Sequence, residues 1–330
     1  MNKKKKKVVL SGMRPTGPLH IGHLAGALRN WLELQDQFQC FYSIVTWHAL
    51  SSEYQNSKVI KDFTFEVAAD WLSIGLDPDK TVLFIQSEVK EHAELHLLLS
   101  MIIPLPWLQR VPTFKEMQRE LSDRDINTYG FLGYPVLQTA DILIYKAEVV
   151  PVGEDQAFHL ELAREITRRF NHIYGPVFPE PQMKLTEVPK LAGTDGRKMS
   201  KSFGNAIYMK DSPEIIRKKI STMMTDTRRK RRNDPGVPEQ CPAFTLHKAF
   251  ISKEKREELT EACRKAEIGC LECKNVVIEA IISMLDPFWE KRKKFEKNPS
   301  LVWEILEEGN KKARKVAQQT MEEVRSVIGL

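Results

Sequence analysis

Short β-branched runs alternate with longer amphipathic stretches through residues 8–212 of this 330-residue chain, and that alternation leaves few folds open. Val8, Val9, Leu10 and Ser11 read as a strand that stops at Gly12. A Pro- and Gly-rich loop follows, then a helix over 21–35 with apolar residues at Leu24, Ala27, Leu28, Trp31 and Leu34. Strands are expected again over 41–45 and 81–86, flanking a helix over 59–74, and over 149–152 between helices over 136–145 and 155–170. A loop rich in Pro, Gly and Lys is expected over 176–205. Strand, helix and strand in repetition specify an α/β domain: a mostly parallel sheet covered by helices, with ligands beyond the carboxyl ends of the strands.

The pattern changes at Asp211-Ser212-Pro213-Glu214, where Ser or Asp ahead of Pro marks a helix start. Beyond it strand signals vanish and amphipathic stretches run over 254–265, 273–285 and 301–327, so two domains are expected, 1–212 and an all-α 213–330. Charge divides at the same place. The +6 excess falls in residues 213–330, residues 1–212 are balanced, and without Lys3 to Lys7 the front part is acidic. A basic helical half suits either a nucleic-acid partner or a solvated surface. With 42% apolar residues the chain is neither disordered nor collagen-like. Val8-Val9-Leu10 is too short for the core of a signal peptide, and the apolar segment 95–108 is interrupted by His96, Ser100, Pro104 and Pro106. A cytoplasmic protein without a membrane span is therefore expected, and its five cysteines read as metal ligands or buried apolar residues rather than disulfides.

Two motifs carry chemistry. Pro15-Thr16-Gly17-Pro18-Leu19-His20-Ile21-Gly22-His23 lies between the first strand and the first helix, where unpaired backbone N–H groups and the helix dipole attract an anion. His20 and His23 are three apart and can share one face of the helix start, and Gly22 leaves room for a ligand to approach. The second motif is Gly193-Thr194-Asp195-Gly196-Arg197-Lys198-Met199-Ser200-Lys201-Ser202. Its glycines allow motion, and Lys198 and Lys201 bring two ammonium groups able to neutralise charge as pyrophosphate leaves a triphosphate. Alone, each motif is more often a capped helix or a solvated loop; together they are highly specific.

His-Ile-Gly-His and Lys-Met-Ser-Lys-Ser are the two signatures of class I aminoacyl-tRNA synthetases, and within that class the chain resembles the tryptophanyl-tRNA synthetases over nearly its whole length. The resemblance extends through Ser11-Gly12-Met13-Arg14-Pro15-Thr16-Gly17, Trp47-His48-Ala49-Leu50, Tyr134-Pro135-Val136-Leu137-Gln138-Thr139-Ala140-Asp141-Ile142-Leu143, Pro151-Val152-Gly153-Glu154-Asp155-Gln156 and Met223-Met224-Thr225-Asp226. It implies a Rossmann-like catalytic domain followed by a helical anticodon-binding domain. Tryptophan would be activated with Mg²⁺-ATP to the adenylate and transferred to tRNA(Trp), by a homodimer for which 95–108 is an interface candidate. Arg14, Pro15, Thr16, Gly22 and His23 would border ATP, Gly153, Glu154 and Asp155 its ribose and adenosine side, and Val188 the adenine. His20 and His23 would sit near the phosphates, and the loop of Lys198, Met199, Ser200, Lys201 and Ser202 would follow the pyrophosphate. Asp141 matches the position that accepts the indole N–H, which suits a ligand whose side chain offers a single polar handle, a donor. Tyr134, Gln156 and His48 resemble residues that hold the amino acid's α-amino and carboxylate groups. The chain departs from the family pattern at Thr46, where Asp is common, and at Arg14, where many members carry Gln. A tyrosyl-specific relative and an inactive tRNA-binding paralogue are the alternatives.

Cys241, Cys263, Cys270 and Cys273 are spaced C-x21-C-x6-C-x2-C within the basic half. From residue types alone Zn²⁺ and an iron–sulfur cluster are both open, since all-thiolate sets suit either. A subset of the resembled family has a closely similar spacing and binds a [4Fe–4S] cluster in the anticodon-binding region, so the resemblance implies the cluster, with Zn²⁺ as the alternative. Just ahead, Arg228-Arg229-Lys230-Arg231-Arg232 offers phosphate contacts to tRNA.

Overall fold

The computed structural model describes residues 6–111, 127–153, 156–185, 190–201 and 203–330. Among them, five strands form one parallel sheet: β1 Val8–Met13, β2 Gln39–Ile44, β3 Thr81–Ile85, β4 Val149–Val152 and β5 Gln182–Leu185, in the order β3-β2-β1-β4-β5. The order reverses between β1 and β4, which makes the crevice past their carboxyl ends the natural ligand position. Strand β5 falls inside the stretch expected to be loop. Its four residues, Gln182 to Leu185, pair along the sheet edge and bury no full side chain, so they carry no hydrophobic period to read.

The chain gathers into two compact units, which do not follow the expected 1–212 and 213–330 division. One comprises Met1–Thr16, Asn30–Thr186 and Lys297–Leu330, and the other Gly17–Arg29 and Glu187–Glu296. In the first unit, the sheet is covered by the helices Glu91–Ser100, Tyr134–Ile144 and Ala157–Tyr174, whose Leu95, Leu99, Ala140, Leu143, Ala163 and Ile166 join Phe41 and Phe84 in the core. Each large apolar side chain so buried contributes about 1.5–3 kcal/mol. The helix Pro299–Ile328 belongs here because it closes the sheet edge. Asn310 Oδ1 accepts the Ile85 N–H at 2.8 Å, and a Cβ on Gly309 would overlap the Leu83 carbonyl, so only glycine lets this helix lie on β3.

In the second unit, the helices Pro213–Ser221, Phe244–Phe250, Lys253–Arg264 and Cys270–Lys297 bury Ile216, Ile220, Leu246, Leu259, Ile278, Ile281 and Leu285. The buried Lys274 ammonium donates to the carbonyls of Ser221 and Met223 at 2.8 and 2.6 Å. The His-Ile-Gly-His segment joins this unit through backbone pairing: Ile21 N donates to Ile207 O at 3.0 Å and Met209 N to Leu19 O at 2.9 Å. A π-helical turn, Leu24–Leu28, follows the motif directly. Among the described residues, no helix is long and apolar enough to cross a membrane.

Candidate functional site

In the sheet-containing unit the strand ends converge on one carboxylate. Asp141, on the helix Tyr134–Ile144, is 4% exposed. Gln86, directly after β3, donates from Nε2 to both of its oxygens at 2.8 Å, while Gln86 Oε1 accepts the Trp47 N–H at 3.0 Å, which fixes the amide's orientation. His48, on the helix Thr46–Glu53 that follows β2, meets Asp141 Oδ2 through Nε2 at 3.0 Å. His92 meets Oδ1 through Nδ1 at 2.6 Å and reaches the Tyr145 hydroxyl through Nε2 at 2.7 Å. Burial alone would raise the Asp141 carboxyl, but the His92 and His48 imidazoles outweigh it and hold the group well below the usual carboxylate range. Asp141 is thus an anion at neutral pH, and burial with the nearby Asp141 charge pushes the Tyr145 hydroxyl far above its ordinary value.

His48 also lines a cavity of about 350 Å³ with Trp47, Leu50, His96, Tyr134 and Leu137, so the acid's network opens onto a largely apolar hollow. Tyr134 and Gln156 are brought together by a residue that sequence reasoning missed. The Tyr134 hydroxyl meets His159 Nε2 at 2.7 Å, and His159 Nδ1 meets Gln156 Oε1 at 3.0 Å. Of the residues expected around ATP, Arg14 bonds the Ser52 hydroxyl from the end of β1, Thr16 N donates to Arg14 O at 3.0 Å, Pro15 is buried, and Gly153 follows β4 and accepts the Gln156 N–H at 3.0 Å. Thr46 accepts the Ser87 N–H at 3.1 Å through its hydroxyl and so ties the ends of β2 and β3.

In the second unit His20 and His23 cap each other's turn. His20 Nδ1 accepts the Gly22 N–H and His23 Nδ1 accepts the His20 N–H, both at 3.1 Å, with ring centroids 3.9 Å apart. With Nδ1 an acceptor on both rings, each neutral imidazole carries its proton on Nε2 as a donor. Burial and then the Lys201 charge bring His20 down to about 4, and burial, His20 and Lys201 hold His23 well below its ordinary value. A Cβ on Gly22 would stand 2.8 Å from the His20 ring, so glycine makes room here for His20 itself.

The lysine loop meets the histidine segment through Lys201, whose ammonium donates to Gly17 O at 2.7 Å. Lys198 is exposed, Met199 is buried and donates through its N–H to Leu191 O at 2.9 Å, and the Ser200 N–H donates to Asn205 Oδ1 at 2.9 Å. Asn205, absent from the sequence reading, organises the loop: its Nδ2 donates to Asp195 Oδ1 at 2.8 Å and Lys198 O at 3.1 Å, and its side chain fills the space a Cβ on Gly193 would need. Glu154, Asp155, Val188 and Ser202 lie outside the described residues.

Cys241, Cys263, Cys270 and Cys273 are gathered in the same unit. Arg229 approaches Cys263 Sγ at 3.9 Å and Cys270 Sγ at 3.8 Å, and Cys273 Sγ lies 3.4 Å from His247 Nε2. Burial, then Cys263, Cys241 and Cys270, push the Cys273 thiol up to about 12. Among the described residues no group of three or more His, Cys, Asp or Glu side chains is placed so that it could hold a metal ion. The arginine run is also less uniform than its sequence suggested. Arg228 pairs with Asp226 at 2.9 Å, Arg229 donates to the carbonyls of Arg232 and Ile268, and Arg232 pairs with Glu272 at 3.3 Å, while Lys230 and Arg231 are exposed.

Comparison with known proteins agrees with this geometry. The family described as tRNA synthetases class I (W and Y) matches residues 1–286. The tryptophan–tRNA ligase of Thermotoga maritima is 53% identical over 98% of this chain and 99% of its own, and that of Aquifex aeolicus 44% identical over 98% and 99%. The crystal structure of the Campylobacter jejuni tryptophanyl-tRNA synthetase complexed with ADP and tryptophan matches with a TM-score of 0.85 at 36% identity, over 98% of this chain and 100% of that one.

Proposed function

The chain belongs to the class I tRNA synthetases of the tryptophan and tyrosine group and ligates tryptophan to tRNA, and from that premise we propose a division of labour among its side chains. The tryptophan carboxylate attacks the α-phosphorus of Mg²⁺-ATP. The bond to the β-phosphate oxygen breaks, leaving tryptophanyl-adenylate and pyrophosphate, and the terminal ribose hydroxyl of tRNA(Trp) then displaces AMP. Catalysis is positioning plus charge stabilisation. Asp141 accepts the indole N–H, and Tyr134, Gln156 and His48 hold the α-amino and carboxylate groups. His20 and His23 donate to phosphate oxygens through Nε2–H, which suits their neutral state. Lys198 and Lys201 neutralise the departing pyrophosphate, with Met199, Ser200 and Ser202 shaping their loop. Arg14, Pro15, Thr16, Gly22, Gly153, Glu154, Asp155 and Val188 border the nucleotide. The observation that carries this reading is the buried, ionised Asp141 carboxylate, an acceptor matched to a ligand with one donor.

The helical region after residue 213 is assigned to the anticodon, with the exposed Lys230 and Arg231 as phosphate contacts. A cytoplasmic homodimer is included in the reading; exposed Leu97, Met101, Leu105 and Tyr129 support pairing with a second copy. The four cysteines are proposed to hold a [4Fe–4S] cluster, or Zn²⁺ as the alternative. The donor set fits either, and the Arg229 guanidinium beside two sulfurs would offset thiolate charge. Such a group would cross-link the segment before Phe244–Phe250, the end of Lys253–Arg264 and the start of Cys270–Lys297. Iron and acid-labile sulfide measured on anaerobically purified protein test it, and zinc without iron overturns the cluster. The main reading is tested by charging total tRNA with labelled tryptophan: no product would favour a binding-only paralogue, and exchange driven by tyrosine in place of tryptophan would favour the tyrosyl alternative.

A further inference from the structure

Asp141 is a saturated acceptor. A carboxylate offers about four lone-pair directions. Here Oδ1 receives His92 at 2.6 Å and Gln86 at 2.8 Å, and Oδ2 receives Gln86 at 2.8 Å and His48 at 3.0 Å. An indole N–H can bond this carboxylate only where one donor gives way. Gln86 and His92 are both 0% exposed, and each is fixed from behind, Gln86 by the Trp47 N–H and His92 by the Tyr145 hydroxyl. Of the three donors, His48 has the longest contact and lines the cavity. It is the donor that can swing out without leaving a buried partner unpaired.

Because the ionised carboxylate only accepts, His92 Nδ1 carries a proton toward Asp141, while Nε2 is tied to the Tyr145 hydroxyl at 2.7 Å. Held at both nitrogens, the ring stays turned toward Asp141, as a partner on the far nitrogen orients a metal-bound histidine. Tyr145 is itself fixed by stacking on Phe41, with ring centroids 4.6 Å apart at 19°.

We propose that His92, held from behind by Tyr145, is a positioning residue for specificity: it holds the Asp141 carboxylate aimed at the indole N–H while His48 yields its place to the ligand. The proposal rests on Asp141 as the indole acceptor, so its test separates the two. Tryptophan-dependent pyrophosphate exchange is measured on the full chain with tryptophan and with 3-benzothienyl-L-alanine, which carries sulfur in place of the N–H. Tyr145→Phe conserves volume and is expected to raise the KM for tryptophan about fivefold, the equivalent of one neutral hydrogen bond. His92→Gln is expected to raise it at least tenfold, as for a hydrogen bond to a charged group. Neither variant should move kcat, the KM for ATP or the KM for the thienyl analogue, so the preference for tryptophan falls by the same factors. Equal losses with both amino acids would mean a merely structural role and overturn the proposal. Should His92→Gln fail to fold, Tyr145→Phe decides alone. Asp141→Asn is the reference. If it abolishes the preference while Tyr145→Phe and His92→Gln keep it, the relay is wrong and the acceptor stands; if it too keeps the preference, the acceptor reading falls with the relay.

Discussion

His92 and His159, in the unit built on the sheet, use their ring nitrogens in the opposite sense to His20 and His23 in the helical unit. In the first pair Nδ1 faces a side-chain oxygen and Nε2 faces a tyrosine hydroxyl, so both nitrogens are committed to side chains, and all of these except Gln156, three residues before His159, come from distant parts of the sequence. In the second pair Nδ1 accepts a backbone N–H two or three residues away, and Nε2 remains a donor. Recognising one particular side chain demands an acceptor that does not move, and that requires many long-range partners. Meeting phosphate oxygens demands donors that a local turn can supply and a flexible loop can follow. Substitutions near Asp141 should therefore cost recognition or folding, and substitutions near the lysine loop should cost turnover.

The largest expected effect lies on the loop side. Lys201→Ala should slow tryptophan-dependent pyrophosphate exchange by on the order of 10²–10³, as for the loss of a charge-stabilising donor, with the KM for tryptophan and the melting temperature unchanged. Exchange near the wild-type rate would remove Lys201 from the mechanism. On the sheet side, Gly309→Ala forces a side chain into the Leu83 carbonyl and should cost about 3 kcal/mol in urea unfolding. A smaller loss would mean that the helix Pro299–Ile328 can lift from β3 without disturbing the core. Asn205→Ala should slow exchange about tenfold at unchanged tryptophan KM, since it removes hydrogen bonds that organise the loop. A raised KM with unchanged kcat would contradict the contrast.

The smallest effect concerns pH. His20 titrates near 4 when folded, against its ordinary 6.5, so the unfolded chain takes up its proton first as pH falls. Stability from this group is present above pH 6.5 and is lost between 6.5 and about 4, on the order of 1 kcal/mol once its partial exposure is allowed for. His20→Asn keeps a capping side chain and should flatten that slope in urea titrations at pH 4.5 and 7. An unchanged slope would show that His20 is not held neutral.

Residues that act through local sequence were legible before folding. His20, Gly22 and His23 sit on a strand-loop-helix junction, Lys198 and Lys201 in a glycine-bounded loop, and Asp141 among apolar neighbours, and strands β1 to β4 carry short runs of apolar, mostly β-branched or aromatic residues. Residues that act across the sequence were not. A histidine on a helix looks the same whether it faces solvent or a carboxylate 49 positions away, as His92 does. One signal existed: His92, Leu95 and Leu99 are all buried, at i, i+3 and i+7, so His92 occupies the apolar stripe of its helix and needs buried partners. His159 with Ala163, Ile166 and Phe170 repeats the pattern. Gln86 and Asn205 gave no such hint, because a polar residue at a strand end or in a loop has its partner chosen only by the tertiary fold. The placement of Pro299–Ile328 was missed for the same reason: an amphipathic period says that a face is buried, but not against what.

That helix also sets a timetable for synthesis. Strand β3 is complete at Ile85, yet the side chain that pairs with its last N–H is Asn310, 225 positions later, after the whole stretch Glu187–Glu296 of the other unit has been made. A ribosome translating this chain at roughly 5–20 residues per second leaves the β3 edge without that partner for about ten seconds or more. During that interval the edge can recruit a stray strand, so capture by chaperones should peak before residue 310 emerges and fall once it has.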